Sequence, residues 1–357
     1  MRIDRVVRPQ TAQVGWRAVT PAKINLFLEV LGRRPDGYHD LDTVMLAIDL
    51  TDTLEIYRVE SDTLSLEVDL SEAQVVGNQE LAREDRTWQI PSHGPSSGSA
   101  TDGNLVLRAL EALREHLDSS AVSSGNDRLP GAHVILRKRI PSQAGLGGGS
   151  SDAAAALVLG SLLWQDRCDM QVLGRLASSL GSDINFFLEG HNGINWTARC
   201  TQRGQIVEPI SNNLTIHGLI VHPTVGCQTA RVFSLVRETI ADRKQAESPE
   251  VLLKCLIQQQ ADTDHAARLS VLLYNRLDAA AVQTTQWVQR TAQRIDRFDP
   301  PGQCLSGSGS ARFCLLSDRA QAEMIASQLR HEGDFRAYPF SAWMSPSILE
   351  QTNQRTE

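Results

Sequence analysis

Apolar and polar residues alternate over residues 16–31, with Ile24, Leu26, Leu28 and Val30 recurring at every second position. That period of two predicts a strand. A Pro35-Asp36-Gly37 turn follows, and apolar runs over 41–50 and 53–59 predict two further strands. Leu64, Leu66, Val68 and Leu70 alternate once more. Residues 71–103 then lose the period and collect Gly, Ser and Pro, which predicts a surface excursion of about 30 residues. Asn104 has the character of an N-cap for a helix that carries Leu105, Leu110, Leu113 and Leu117 on one stripe. A loop over 119–130 leads to a strand over 132–140, a glycine-rich loop, and an alanine-rich helix over 153–164. A last apolar strand covers 312–316, and no internal repeat is present.

With 357 residues the chain is long enough for about two domains. The net charge is −7, and residues 55–86 hold −6 of it, with nine acidic residues against three basic ones. An acidic chain without clustered Lys and Arg does not track nucleic acid, which requires counterion release by a basic surface. Residues 1–20 are polar and interrupted by Arg5, Arg8 and Arg17, unlike a secretory leader. The longest apolar stretch, 153–164, is too short to span a bilayer. Six cysteines (Cys168, Cys200, Cys227, Cys255, Cys304 and Cys314) form no C-x-x-C pair, and the nine histidines form no H-E-x-x-H. The expectation is a cytoplasmic protein with reduced, mostly buried thiols and no membrane partner.

Chemistry first appears in Pro141-Ser142-Gln143-Ala144-Gly145-Leu146-Gly147-Gly148-Gly149-Ser150-Ser151-Asp152, set between a strand and a helix. Glycines let backbone amides converge, and a helix N-terminus adds free N–H groups and partial positive charge, so together they suit phosphate. The loop lacks the G-K-[ST] of a Walker A motif, and Ser150 stands where a dinucleotide fingerprint would need its third glycine. A plain flexible turn remains the alternative. In Lys23-Ile24-Asn25, Lys23 and Asn25 share one strand face, fit either for a phosphate-bearing substrate or simply for solvent. Ser306-Gly307-Ser308-Gly309, taken alone, reads as a tight turn. Gly94-Pro95-Ser96-Ser97-Gly98 matches a hydrolase elbow in letters only, without the strand and helix that motif requires.

Taken together, the three segments resemble the three motifs of the GHMP kinases, in which the middle glycine loop holds the phosphates of ATP. Residues 21–27 with Gly32-Arg33-Arg34-Pro35-Asp36-Gly37-Tyr38-His39 are similar to one branch of that superfamily. That branch phosphorylates the 2-hydroxyl of 4-diphosphocytidyl-2-C-methyl-D-erythritol in non-mevalonate isoprenoid biosynthesis. The resemblance runs over residues 19–338, with 71–103 as an insertion. It implies an α+β, two-domain GHMP kinase fold. An N-terminal ATP-binding domain over 15–207 would meet a ferredoxin-like C-terminal domain over 208–346 across one deep cleft.

Site roles follow from the same resemblance. Gly181-Ser182-Asp183-Ile184-Asn185-Phe186-Phe187 resembles the family's G-S-D-x-x-F-F, which makes Asp183 the expected catalytic base and Lys23 its cationic partner. On the residues alone Asp183 could equally be a helix N-cap. ATP is the expected co-substrate on Pro141, Ser142, Gln143, Ala144, Gly145, Leu146, Gly147, Gly148, Gly149, Ser150 and Ser151, with Mg²⁺ held by Ser150 or Ser151. The small-molecule substrate, a cytidine diphosphate derivative of methylerythritol, would stack between Tyr38 and Phe233, hydrogen-bond His39, and meet Thr229 and Asn25. Phe233 could instead be a buried core aromatic. The chain is expected to be a monomer or weak homodimer. Two other readings are a non-catalytic nucleotide-binding sensor on the same fold and another GHMP small-molecule kinase. Tyr38-His39 argues against the second, since it suits a cytidine ring that mevalonate and homoserine lack, and the presence of both Lys23 and Asp183 argues against the sensor. Ser142, Gln143 and Gln202 depart from the family pattern, Gln202 standing where a hairpin glycine is customary.

Overall fold

The structure is a computed structural model that describes residues 1–8, 12–71, 86–90, 104–120, 129–164, 169–190, 196–212, 214–236, 249–258, 265–329 and 333–344. Strand β1 (Arg2–Val7) pairs antiparallel with β2 (Val14–Arg33), which pairs along its length with β3 (His39–Val59). The two expected strands at 41–50 and 53–59 are thus one. A register shift between Pro21 and Ala22 lets β3 carry two extra residues past its partner, so the apolar pattern breaks while the ladder continues. β4 (Leu64–Asp69), β5 (Arg86–Ile90) and β6 (Gly131–Arg137) extend the sheet in the order β1-β2-β3-β6-β4-β5. β4 and β6 run parallel, as a crossover through helix α1 (Leu105–Ser120) requires. Asn104 does cap α1, its Oδ1 accepting the Val106 amide at 2.9 Å. Within the expected excursion over 71–103, residues 86–90 form β5; residues 72–85 and 91–103 lie outside the described residues, as do 121–128, Cys168 and the elbow-like 94–98.

Helices α2 (Gly148–Leu163), α3 (Met170–Leu180) and α4 (Ile184–Glu189) join α1 against one core with the sheet. β7 (Thr197–Gln202) and β8 (Ile206–Pro209) add to the free stretch of β3. Helix α2 starts at Gly148, five residues earlier than its alanine run predicts, so Ser150, Ser151 and Asp152 are already helical. β6 ends at Arg137 rather than 140. Beyond it the Arg139 and Ile140 amides donate to Asp52 Oδ1 at 2.5 and 2.9 Å instead of to a strand.

The C-terminal half opens with β9 (His217–Pro223) and three helices, α5 (Thr229–Ser234), α6 (Pro249–Ile257) and α7 (His265–Ser270). Two-residue β10 (Tyr274–Asn275) returns to pair with β2 in the first sheet. Helices α8 (Asp278–Thr284) and α9 (Gln286–Asp296), strands β11 (Gln303–Leu305) and β12 (Arg312–Leu316), helix α10 (Arg319–Leu329) and strand β13 (Phe335–Ser341) complete it. The second sheet is antiparallel in the order β11-β12-β9-β13, the ferredoxin-like arrangement.

Strand alternation explains how the halves join. On β3, Met45 and Ala47 enter the helix-side core, while Leu46 and Ile48 face a second core shared with Ile220, Phe313 and Phe340 of the other sheet. Leu219, Val221 and Cys314 pack the opposite way, onto α9 and α10 through Ile295, Ile325 and Leu329. Each fully buried Leu, Ile or Phe contributes about 1.5–3 kcal/mol, so β2 and β3, apolar on both faces here, bind the halves together.

Candidate active site

A cavity of about 1280 Å³ lies where the two halves meet. Lys23, Asn25, residues 141–150, Asp183, Thr229 and Phe233 all line it. The glycine loop is fixed from both halves. The Lys23 amide donates to the Leu146 carbonyl at 2.9 Å, and the Ala311 amide to the Ala144 carbonyl at 3.2 Å. Ser306 Oγ donates to the Gly145 carbonyl at 2.9 Å, and Asn275 Nδ2 braces that serine loop through the Leu305 and Gly307 carbonyls, each at 2.8 Å. The expected tight turn at 306–309 is therefore also the clamp on the glycine loop. Gly145 has φ +77°, and a Cβ there would collide with the Ser306 carbonyl. At Gly147, φ +71°, a Cβ would stand 2.9 Å from Lys23 Cγ and 3.0 Å from Phe187 Cζ. Only glycine combines that backbone with that approach. Gln143, one of the residues that depart from the family pattern, also takes a positive φ of 54°.

Beyond the loop, Gly147 caps α2 without a side chain, so the first amides of a 16-residue helix face the cavity. Ser150 lines the cavity. Ser151 is buried, and its Oγ has no partner.

Lys23 and Asp183 meet at 3.6 Å. The lysine side chain is 4% exposed, and its ammonium donates to Asn25 Oδ1 at 2.7 Å and to the Gly145 carbonyl at 2.9 Å. Burial pushes the Lys23 ammonium below its ordinary pKa, and Asp183 pulls it partly back. Asn25 is oriented in turn, its Nδ2 donating to Thr43 Oγ1 at 2.8 Å while Thr43 donates to the Phe27 carbonyl at 2.6 Å. Asp183 occupies the N-cap position of α4 yet makes no side-chain cap bond. Its carboxylate, 26% exposed, points to the lysine and the cavity, so the N-cap alternative fails on geometry.

The residues expected to grip a cytidine are placed differently. Phe233 is half-buried, lines the cavity and sits 5.2 Å from the His39 ring, centroid to centroid. Thr229 Oγ1 lies 2.9 Å from Ser308 Oγ. Tyr38 is 53% exposed at the tip of the β2–β3 hairpin and does not line the cavity; the Arg203 guanidinium lies 3.7 Å from the centre of its ring. Arg203 belongs to the β7–β8 hairpin, where Gln202 adopts φ +60° in place of the customary glycine. Gln205 buttresses that turn, its Oε1 accepting the Arg203 amide at 2.9 Å and its Nε2 donating to Gln202 Oε1 at 3.0 Å.

Two features escaped the sequence reasoning. The first is a buried ion triad beneath the loop: Lys138 pairs with Asp52, and with Asp152 at 2.7 Å, while Thr20 Oγ1 donates to Asp152 Oδ1 at 3.3 Å. Burial, together with the nearby Asp52 charge, pushes the Asp152 carboxyl up to about 7 against the pull of Lys138. A carboxylate in the first turns of an otherwise apolar helix was the available signal, since a buried charge needs a partner. The second is an apolar slot at one end of the cavity, formed by Val68, Leu70, Leu105, Val106 and Leu136 beside Asn104.

Comparison with known proteins identifies the chain's relatives. Residues 104–191 match the family model "GHMP kinases N terminal domain". The chain is 34% identical over 332 residues to 4-diphosphocytidyl-2-C-methyl-D-erythritol kinase of Rhodopirellula baltica, covering 87% of this chain and 89% of that protein. A crystal structure of 4-(cytidine 5'-diphospho)-2C-methyl-D-erythritol kinase superposes with a TM-score of 0.64 at 28% identity, over 91% of this chain and 98% of the other. Mevalonate kinase from Methanococcus jannaschii shares the fold, with a TM-score of 0.65 at 16% identity over 94% of this chain and 100% of that one.

Proposed function

The chain belongs to the 4-diphosphocytidyl-2-C-methyl-D-erythritol kinase family within the GHMP kinases, and on that premise we propose how its cavity carries out the phosphoryl transfer. It is an ATP-dependent kinase of isoprenoid precursor biosynthesis. Asp183 accepts the proton of the substrate 2-hydroxyl as that oxygen bonds to the γ-phosphorus; the bond from phosphorus to the bridging oxygen breaks, and ADP leaves. Lys23, between Asp183 and the glycine loop, offsets the negative charge gathered there. The observation that carries this reading is the Lys23–Asp183 pair at the mouth of the loop, with the Asp183 side chain unspent on capping.

The triphosphate lies over the amides of residues 145–149 and the start of α2, and the adenine fills the slot formed by Val68, Leu105 and Leu136. Mg²⁺ fits this arrangement. Among the described residues no three acidic, His or Cys side chains converge to hold a metal, but an ion carried on ATP phosphates needs few protein oxygens. Ser150 lines the cavity from the first turn of α2 and would supply one, whereas Asp152 is already held by Lys138. Bound there, the ion would neutralise phosphate charge. At the far end, Phe233 and Tyr38 stack the cytosine, His39 hydrogen-bonds it, Thr229 meets the substrate, and Asn25 contacts the methylerythritol. The domain division at about residue 207 and a cytoplasmic setting complete the reading; five free cysteines among the described residues support a reducing compartment.

ADP release by the purified protein tests this. Turnover is expected with 4-diphosphocytidyl-2-C-methyl-D-erythritol and not with mevalonate or homoserine; the reverse would sink the reading. Asp183→Asn is expected to lower kcat by about 10²–10⁴-fold while ATP still binds; an unchanged kcat would remove Asp183 as the base, and equal, negligible turnover before and after the substitution would return the site to a nucleotide sensor.

A further inference from the structure

One lobe of the cavity has no part in the phosphoryl transfer described above. Its wall is the end of β9 and the facing stretch of β13, and residues 139–143 close it where the chain enters the glycine loop. His222 and Arg336 are direct partners in the β9–β13 ladder, and both line the cavity with Thr224, Tyr338 and Arg139. Two nitrogen atoms there are buried without a partner, Nε2 of His222 and Nε of Arg336. His222 is 9% exposed. Buried polar atoms are rarely left unsatisfied, and two on adjacent ladder partners whose residues line one cavity call for a ligand group beside them.

The chemistry of that group can be read from the wall. Burial pushes the His222 imidazole down to about 4, leaving it neutral with one N–H to donate. Burial also pushes the Tyr338 phenol up to about 12, so it keeps its hydroxyl proton, and the charges of Arg336 and Arg139 both reach it. Among the described residues lining the cavity, the only carboxylates are Asp152 and Asp183, which pair with Lys138 and Lys23 instead. The lobe therefore presents donors and guanidinium charge with no carboxylate of its own. A tetrahedral oxyanion satisfies such a set, because guanidinium and phosphate geometries match.

We propose that this lobe is a second anion subsite, which takes a phosphoryl group distinct from the triphosphate over the glycine loop. The inference rests on the reading of that loop as the cradle for ATP. The phosphoryl group has two possible sources, a free phosphate or diphosphate and a phosphate carried on the ribose of the bound nucleotide.

Calorimetric titration of the full chain separates them. Inorganic pyrophosphate is added to protein saturated with a non-hydrolysable ATP analogue and Mg²⁺. Binding to the saturated protein, weakened at least about tenfold by Arg336→Gln and by His222→Phe with kcat and the KM for ATP held within about twofold, assigns the lobe to a free anion. In a parallel titration, an adenosine 5′-diphosphate bearing a 3′-phosphate binds more tightly than ADP to the parent and equally to Arg336→Gln if the group is carried on ribose. Arg139→Gln repeats the test without touching the β9–β13 ladder, and melting temperatures verify that each variant folds. Absence of pyrophosphate binding together with no gain from the 3′-phosphate overturns the subsite, as does binding unchanged in all three variants. If the ATP analogue itself fails to bind, the cradle reading is what fails. Pyrophosphate binding to the free protein, with the same variants, then still decides the lobe.

Discussion

The two ends of the cavity are built in opposite ways. The glycine loop is held at several points: Gly145 is bonded by Lys23 and Ser306, Lys23 also by Asn25, and the chain on either side by the Lys138 triad. At the rim proposed for the cytidine, Tyr38 stands on a hairpin tip, more than half exposed, with an arginine over its ring. Phosphoryl transfer tolerates little misplacement, so that end is preorganised in backbone and buried charge. Recognition of a flat base asks mainly for stacking surface, which exposed rings supply and which ligand binding can order.

Variants at the two ends should therefore fail differently. The largest effect is expected from Lys138→Met, which leaves Asp52 and Asp152 buried without their cation and should cost about 3–5 kcal/mol of stability, read from urea unfolding. A loss under about 1 kcal/mol would show that the triad does not support the loop. Gly145→Ala drives a Cβ into the Ser306 carbonyl at a strained φ; an expected drop of about 100-fold in kcat/KM, from displacement of the loop by a fraction of an ångström or more, is measured by steady-state kinetics. Tyr38→Ala should leave stability within about 0.5 kcal/mol and the KM for ATP unchanged, while the KM for the cytidyl substrate rises by the about 1–3 kcal/mol that stacking contributes.

A further effect is a slope of stability against pH. Asp152 titrates near 7 when folded, above the ordinary 3.8, because burial favours its protonated form. Its contribution is then fully present below about pH 4 and is lost as pH rises through about 7. Asp152→Asn should flatten that part of the stability profile, as followed by unfolding midpoints across the range. An equally steep profile in the variant would remove Asp152 as the source.

Much of the catalytic end was legible in the residues. Glycines that must take positive φ, a Lys and an Asn two apart on a strand, and an Asp after Gly-Ser are local signals, and Lys23, Asn25, the loop and Asp183 do line one cavity. The N-cap of α1 at Asn104 was equally local. Less legible was the continuity of β3, since a bulge breaks the apolar period without breaking the ladder. The start of α2 was hidden because glycines give no helical signal even where tertiary contacts hold them in a helix. Tyr38 was expected to stack the cytosine, but its ring lies against Arg203, which comes from a hairpin more than 160 residues away and which no local pattern announces.

The sequence by itself determined the chemistry available: which residues can cradle phosphate, accept a proton and offer a ring, and on which strands and loops they sit. Only the tertiary structure decided which of them act together. Lys23 and Asp183 lie 160 residues apart and meet because α4 packs on the helix-side core of the same half; Gly145 and Ser306, 161 apart, meet because β2 and β3 are apolar on both faces and draw the two halves onto a shared core. Side-chain identity is a local property, whereas the burial that shifts the Lys23 ammonium and leaves the nitrogens of His222 and Arg336 without partners arises from what packs around them.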